Sequence, residues 1–209
     1  RNIAVFYNDN SICYHKRLFN IVGDENYRLI RVFIKLKKGV NKESVNIPAT
    51  FNGLPVTAIS SFAFEGYDKL KYVQIPDGIT SIGSYAFIEC SSLISVEIPE
   101  SVNTILKYAF QNCVSLTSVK LPSGLTMIDD YVFYGCKSLP EIEIPSGVTS
   151  IGKSTFERCQ SFTKIEIPSG VTTIGDYAFY HCDLLTDIVI PSGVKRLGDG
   201  LFAYCASLE

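Results

Sequence analysis

The chain contains no tryptophan, one methionine and only two histidines among its 209 residues. His15 and His181 leave little for a catalytic triad or a histidine-rich metal site, which need His beside Ser, Cys, Asp or Glu. No G-x-S-x-G, H-E-x-x-H, G-x-G-x-x-G or P-loop pattern occurs. Cys-x-x-Cys is also missing, which removes the usual zinc-cluster and thioredoxin-like readings. No apolar run approaches the ~20 residues of a membrane-spanning helix, and no basic-apolar-small leader opens the chain. It begins at Arg1 rather than Met, so further sequence is expected upstream. Charged residues make up 19%, too few for a solvated disordered chain.

What the chain does have is periodic. Cys90, Cys113, Cys136, Cys159, Cys182 and Cys205 are each 23 residues apart. Ile-Pro or Leu-Pro recurs at Pro76, Pro99, Pro122, Pro145, Pro168 and Pro191. Phe recurs at Phe87, Phe110, Phe133, Phe156, Phe179 and Phe202. Six units run from Leu70 to Ser207 without insertion or deletion. A divergent unit precedes them, marked by Val45, Ile47, Pro48, Val56, Ile59, Ala63 and Phe64, with extra residues around Asn52-Gly53. Tyr67 stands there in place of Cys.

The order of apolar positions says how a unit folds. In Leu70-Lys71-Tyr72-Val73-Gln74-Ile75 the final alternation puts Val73 and Ile75 inside and Gln74 outside a strand. Pro76 lacks an N–H and tends to end a ladder, and Pro76-Asp77-Gly78 supplies turn chemistry. Ile79 and Ile82 form a second apolar pair. Tyr85, Ala86, Phe87 and Cys90 are spaced as one short helical turn, or as a loop that buries Phe87. A circuit of 23 residues is too short for two ordinary helices and suits a solenoid coil. Coils of equal length stack in register at about 4.8 Å per strand, so seven give a slab about 35 Å long. No coil could bury its apolar side alone; stacking makes one core with a Phe spine.

The pattern L-x-x-V-x-I-P-x-G-V-x-x-I-G-x-x-A-F-x-x-C resembles the BspA-like leucine-rich repeat family, over Val45 to Glu209. The resemblance implies a solenoid with a parallel sheet on its concave side. It also implies secretion or surface anchoring, with adhesion to host or other-cell proteins as the role. Leu106 and Asp129 depart from the mid-repeat Gly, Ser101 from the turn Gly, and Thr155 from the Ala before Phe156. Each reads as tolerated drift. The expected fold class is an α/β-type, right-handed leucine-rich repeat solenoid of 23-residue coils with a small N-terminal β cap.

Residues 1–41 lack the repeat. Tyr27 to Leu36 reads as a strand, with Ile30, Val32, Ile34 and Leu36 on one side, and Ile3 to Tyr7 and Ile12 to Tyr14 are shorter stretches. They suit a cap over the open end of the core, with 42–209 as the repeat array; the alternative is a fragment of an upstream domain. The far end carries no such cap, so the chain is expected to continue past Glu209. Residues 1–44 hold nine Lys or Arg against four Asp or Glu, and the remainder ten against seventeen. The basic run Arg28, Arg31, Lys35, Lys37, Lys38 and Lys42 could meet an anionic surface; a solvated strand face and loop is the preferred reading. Nucleic acid is not expected, because the array is net acidic.

Three columns compete for function. Stacked Cys lie within the Cα range of a disulfide, but their Cβ bonds should run parallel. Reduced, buried, space-filling thiols are therefore expected, with Cys13 outside the column. The Tyr column, Tyr85, Tyr108, Tyr131 and Tyr177, is interrupted by Ser154 and Gly200 and reads as half-buried packing beside the spine. The exposed strand rows are the best candidate. One row reads Tyr72, Ser95, Ser118, Glu141, Lys164, Asp187, and the next reads Gln74, Glu97, Lys120, Glu143, Glu166, Val189. Glu141, Glu143 and Glu166 form an acidic patch edged by Lys120 and Lys164, and a like-charge row costs stability unless a ligand or neighbour offsets it.

The expected function is a non-enzymatic surface or secreted module. It would bind a protein partner, such as a host matrix or cell-surface protein, without cofactor or metal. A spacer with no ligand of its own, or an accessory domain of a larger surface protein, is the alternative. The expected location is extracellular or the cell surface, with signal and anchor outside this segment.

Overall fold

This computed structural model describes residues 42–209 and, before them, the backbone of three strands, Ala4–Tyr7, Ile12–Phe19 and Leu29–Leu36. Coil 1 is the divergent unit 42–69, and coils 2 to 7 begin at Leu70, Leu93, Leu116, Leu139, Phe162 and Leu185.

The alternating stretch of each coil builds the main sheet. Ser44–Asn46, Tyr72–Gln74, Ser95–Glu97 and Ser118–Lys120 pair in parallel, with Ser44, Tyr72, Ser95 and Ser118 side by side. Val45, Val73, Val96 and Val119 point into the core from the middle of each strand. Lys164–Glu166 and Asp187–Val189 pair as a separate piece, and Glu141-Ile142-Glu143 between the two pieces forms no ladder strand. The cause is one residue upstream. In coils 3 and 4 the N–H of Ile94 and of Thr117 donates to the preceding coil, to Lys71 O at 3.0 Å and Ile94 O at 2.8 Å. Coil 5 has Pro140 at that position, with no N–H to give. Pairing resumes on its far side, where Thr163 N donates to Pro140 O at 3.2 Å.

After each Pro-x-Gly turn a short second ladder forms. Leu54–Ile59, Ser81–Ile82 and Thr104–Ile105 make one run; Met127–Ile128, Ser150–Ile151, Thr173–Ile174 and Arg196–Leu197 make another. The break falls between coils 3 and 4, beside Asp129. That position is a mid-repeat glycine elsewhere, and a Cβ built on Gly152 would stand 2.6 Å from the Asp129 carbonyl carbon and Asp130 N. Asp129 carries a real Cβ against the coil before it, and its carboxylate takes over as acceptor for Lys107 N at 3.1 Å.

The departures from the repeat are therefore not mere drift. Ser101 Oγ donates to Ile79 O at 2.7 Å and accepts from Gly78 N at 3.1 Å. Thr155 Oγ1 is within hydrogen-bond reach of Gly152 O at 2.8 Å and Asp129 O at 3.0 Å. Leu106 keeps its ladder bond, from its N–H to Ile82 O at 3.0 Å.

The third side of each coil corrects the α/β expectation: among the described residues there is no helix. The N–H groups alternate in direction. Those of Tyr85, Phe87 and Glu89 donate to Lys107, Ala109 and Gln111 of the next coil, whereas those of Ala86, Ile88 and Cys90 donate three residues back. A helix needs every N–H directed four residues back along its own chain, so this alternation excludes one. It also forces left-handed backbone at Tyr85 (φ 60°) and Glu89 (φ 59°), a pair repeated from coil to coil. Such backbone disfavours a side chain. The tyrosines accept it while stacking: Tyr85 lies 4.6 Å from Tyr108 and Tyr108 4.7 Å from Tyr131 between ring centroids.

Inside, Phe64, Phe87, Phe110, Phe133, Phe156, Phe179 and Phe202 form one unbroken spine, with neighbouring centroids 4.7 to 5.8 Å apart. The insertion in coil 1 is a β-hairpin. Thr50–Phe51 pairs antiparallel with Leu54–Pro55, and Asn52 (φ 50°) and Gly53 (φ 74°) supply the two positive-φ residues of a type I′ turn.

The first three strands run antiparallel in sequence order, and Leu29–Leu36 then joins Leu54–Ile59 in parallel. The strand expected from Ile12 to Tyr14 extends to Phe19, and the one expected from Tyr27 is described from Leu29. The side chains of Cys13, His15, the Ile30-to-Leu36 face and the basic run up to Lys38 lie outside the described residues.

Candidate functional site

The strand rows read from the sequence are exposed where strands form. Tyr72 is 50% exposed, and Gln74, Glu97, Lys120, Lys164, Glu166 and Asp187 all face solvent, each flanking an inward residue of its strand. Glu141 and Glu143 are also exposed, although Pro140 has removed them from the ladder. Their coil stays in register through the core, since Leu139, Ile142 and Ile144 remain buried.

The structure divides the nine candidates into two groups. Tyr72, Gln74, Glu97 and Lys120 converge on a trough of about 420 Å³ across coils 2 to 4, floored by Val73, Ile75 and Ile98. Asp77 and Glu100 complete its wall. Neither belongs to a strand row. They occupy the residue after the coil proline, where coils 4 to 7 carry Ser123, Ser146, Ser169 and Ser192. Reading that turn row down the repeat, as the strand rows were read, would have found them.

The second group, Glu141, Glu143, Glu166, Lys164 and Asp187, sits on coils 5 to 7. Lys120 stands one coil before Glu143 in the same row, but it forms no ion pair with the glutamates of this group. Its ammonium reaches back to Glu97 at 3.5 Å, an exposed pair of small energetic consequence. Among the described residues no ion pair reaches Glu141, Glu143 or Glu166.

Electrostatics in the trough follow from this. Asp77, Glu97 and Glu100 face a single ammonium, so the trough is net negative. Glu100 Oε2 accepts from the Ser123 amide and hydroxyl, both at 2.8 Å. Those two bonds hold its carboxyl below the usual range and keep it ionised.

The cysteine column is committed elsewhere. All six thiols are free, and each donates to the phenylalanine carbonyl of the preceding coil, from Cys90 to Phe64 O at 3.0 Å through Cys205 to Phe179 O at 3.1 Å. Reduced, buried thiols were expected, but space-filling understates them, because each supplies a hydrogen bond between coils. Burial pushes Cys90 up to about 12 and raises the thiols of Cys113, Cys136, Cys159 and Cys182 in the same way. A thiol held protonated is a poor nucleophile and a poor metal ligand. Cys182 therefore makes no dyad with His181, whose Nδ1 lies outside, 3.3 Å from Asp183 Oδ1, with its ring stacked 4.7 Å from Tyr204. Among the described residues no three His, Cys, Asp or Glu side chains come together as a metal site, and no helix is long and apolar enough to cross a membrane.

The repeat is shared with known proteins. The sequence pattern of the BspA type leucine rich repeat region matches residues 37–139 and 126–209, in six copies. A leucine rich repeat protein of T. pallidum is 32% identical with a TM-score of 0.81, over 86% of this chain and 83% of that one. A leucine rich cell surface protein of Faecalibacterium prausnitzii is also 32% identical, with a TM-score of 0.83, and this chain spans 54% of its length while being covered completely. A leucine-rich repeat protein of Bacteroides ovatus is 27% identical with a TM-score of 0.65, covering 93% of this chain and 55% of that one. No curated protein matches. With the repeat pattern matched across both halves of the array and two solved relatives at 32% identity, this chain belongs to the BspA-type leucine-rich repeat family.

Proposed function

We propose that this chain is a non-enzymatic binding module displayed at a cell surface or secreted, and that it docks a basic protein partner on the main-sheet face. The observation that carries this is the outward patch of carboxylates Glu141, Glu143 and Glu166, drawn from two neighbouring rows, exposed and without ion pairs among the described residues. Unpaired like charges beside one another are unfavourable in the free protein, and a basic partner relieves the repulsion on binding. The surface location rests on the Faecalibacterium relative, which is named a cell surface protein. Within this proposal residues 1–41 act as a cap and 42–209 as the binding array.

The test is surface binding of extracellular-matrix and serum proteins to the immobilised protein, with the double variant Glu143→Lys/Glu166→Lys in parallel. The double reversal is expected to weaken the captured interaction by about tenfold or more, and raised salt should weaken the wild type likewise. Unchanged affinity under both treatments would reject the docking face and leave the chain as a spacer.

A further inference from the structure

We propose that the trough across coils 2 to 4 receives an arginine side chain from an extended basic segment of the partner. This deepens the docking reading above and rests on it. Three features of the trough select a guanidinium. Asp77, Glu97 and Glu100 present carboxylates on two adjacent coils, which suits a planar group with five forked donors better than a compact ammonium. The half-exposed Tyr72 ring stands beside them, and a guanidinium stacks on an aromatic face. Gln74 adds an amide oxygen from the same strand. Lys120, the one cation among the lining residues, is held at Glu97 and Ser123 holds Glu100 Oε2, which leaves Asp77 and Glu100 Oε1 to the guest and no free cation for an anionic ligand. The buried Val73 and Ile75 on the floor offer apolar contact to the methylene stem of an arginine.

Spacing extends the assignment. Glu141 and Glu143 on coil 5 lie three coils beyond Tyr72 and Asp77 on coil 2, roughly 14 Å at ~4.8 Å per parallel strand. An extended peptide covers that in about four residues at ~3.4 Å each. The face therefore fits a segment whose two arginines are four residues apart, one in the trough and one over the glutamates.

The probe is a fluorescent, end-blocked peptide with two arginines four residues apart in a Thr/Gly spacer, titrated by anisotropy at low salt. Its control replaces both arginines with citrulline, which keeps the shape and removes the charge. The arginine peptide should bind at least tenfold tighter than the citrulline peptide. Glu97→Gln/Asp77→Asn, which preserves side-chain shape, should weaken it about tenfold, and Tyr72→Ser severalfold. Equal binding of arginine and citrulline peptides overturns the proposal. So does wild-type affinity in both trough variants. If only Glu143→Lys/Glu166→Lys weakens the peptide, the trough assignment falls and the docking face stands; if no variant does, both fall. A neutral hexasaccharide is the remaining arm. Its binding, lost in Tyr72→Ser, would assign the trough to sugars and sink the arginine reading.

Discussion

Above about pH 9 the array is expected to lose stability steeply, at roughly 7 kcal/mol per pH unit once the unfolded thiols ionise. The source is the column of five fully buried cysteines, Cys90, Cys113, Cys136, Cys159 and Cys182. In the folded coil burial holds each as a neutral thiol, Cys90 up to about 12 and the others likewise raised well above the free value. In the unfolded chain the same groups ionise near pH ~8.5 to 9. Between those limits the folded state carries more protons than the unfolded state, so rising pH favours unfolding. The stability each thiol provides is complete below the unfolded value and is gone when pH passes the folded value. Each contributes about 1.4 kcal/mol per pH unit in that window, and the total stability of an ordinary domain is about 5–15 kcal/mol. Tyr108, whose phenol pKa burial raises, adds to the loss only above about pH 10.

Urea midpoints at three pH values spanning this window, with reductant present, measure the slope. Cys136→Ala should flatten it by about one fifth, while costing about 1–2 kcal/mol at neutral pH for the lost methylene-sized volume and the lost bond to Phe110 O. A midpoint that holds steady as the thiols pass their unfolded pKa would contradict the assignment. At neutral pH a thiol reagent should leave these five groups unmodified in the native protein and titrate them after unfolding.

The repeat was plain in the sequence because one coil's needs recur at one spacing. Leu, Val, Ile, Phe and Cys positions are fixed by a common cross-section, and every one from Leu70 to Leu185 lands in the core. The Asn52-Gly53 insertion likewise declared its turn through the two residue types that accept positive φ. What escaped reading were relations between coils. Tyr85 and Glu89 are poor candidates for left-handed backbone by type, and only the stacking of the next coil imposes it. The spacing of Tyr85 to Cys90 allowed a helical turn because apolar spacing does not reveal where N–H groups point. Pro140 was visible as a letter, yet its effect is on a ladder between coils 4 and 5 that exists only after stacking. The same holds for the site. Tyr72, Gln74, Glu97 and Lys120 were found from strand alternation, whereas Asp77 and Glu100 reach the trough from turns, which alternation does not cover.

Gly175→Ala is expected to cost about 3 kcal/mol or more, while Gly124→Ala in coil 4 is neutral or stabilises by up to about 1 kcal/mol. The two substitutions add the same methyl group, so composition and intrinsic propensity predict the same outcome for both. Their surroundings differ. A Cβ on Gly124 would meet nothing within 4 Å and its backbone is not left-handed, so the gain there comes from a less disordered unfolded chain. A Cβ on Gly175 would stand 2.5 Å from Lys153 N, a backbone atom that no side-chain rotation can move aside. Coils 5 and 6 would have to part there, at the cost of the bond from Gly175 N to Ile151 O, now 2.9 Å, and of its neighbours in the short ladder. Two coils of the same chain bear a Cβ at the equivalent position with different outcomes: Leu106 keeps its bond to Ile82 O at 3.0 Å, whereas beside Asp129 Met127–Ile128 is unpaired with Thr104–Ile105. There the carboxylate compensates by accepting from Lys107 N, a bond an alanine cannot make. Urea unfolding of the two single variants under identical conditions decides the matter. Equal shifts would mean that the mid-repeat glycine is a propensity effect, and opposite signs that it is the contact point between coils.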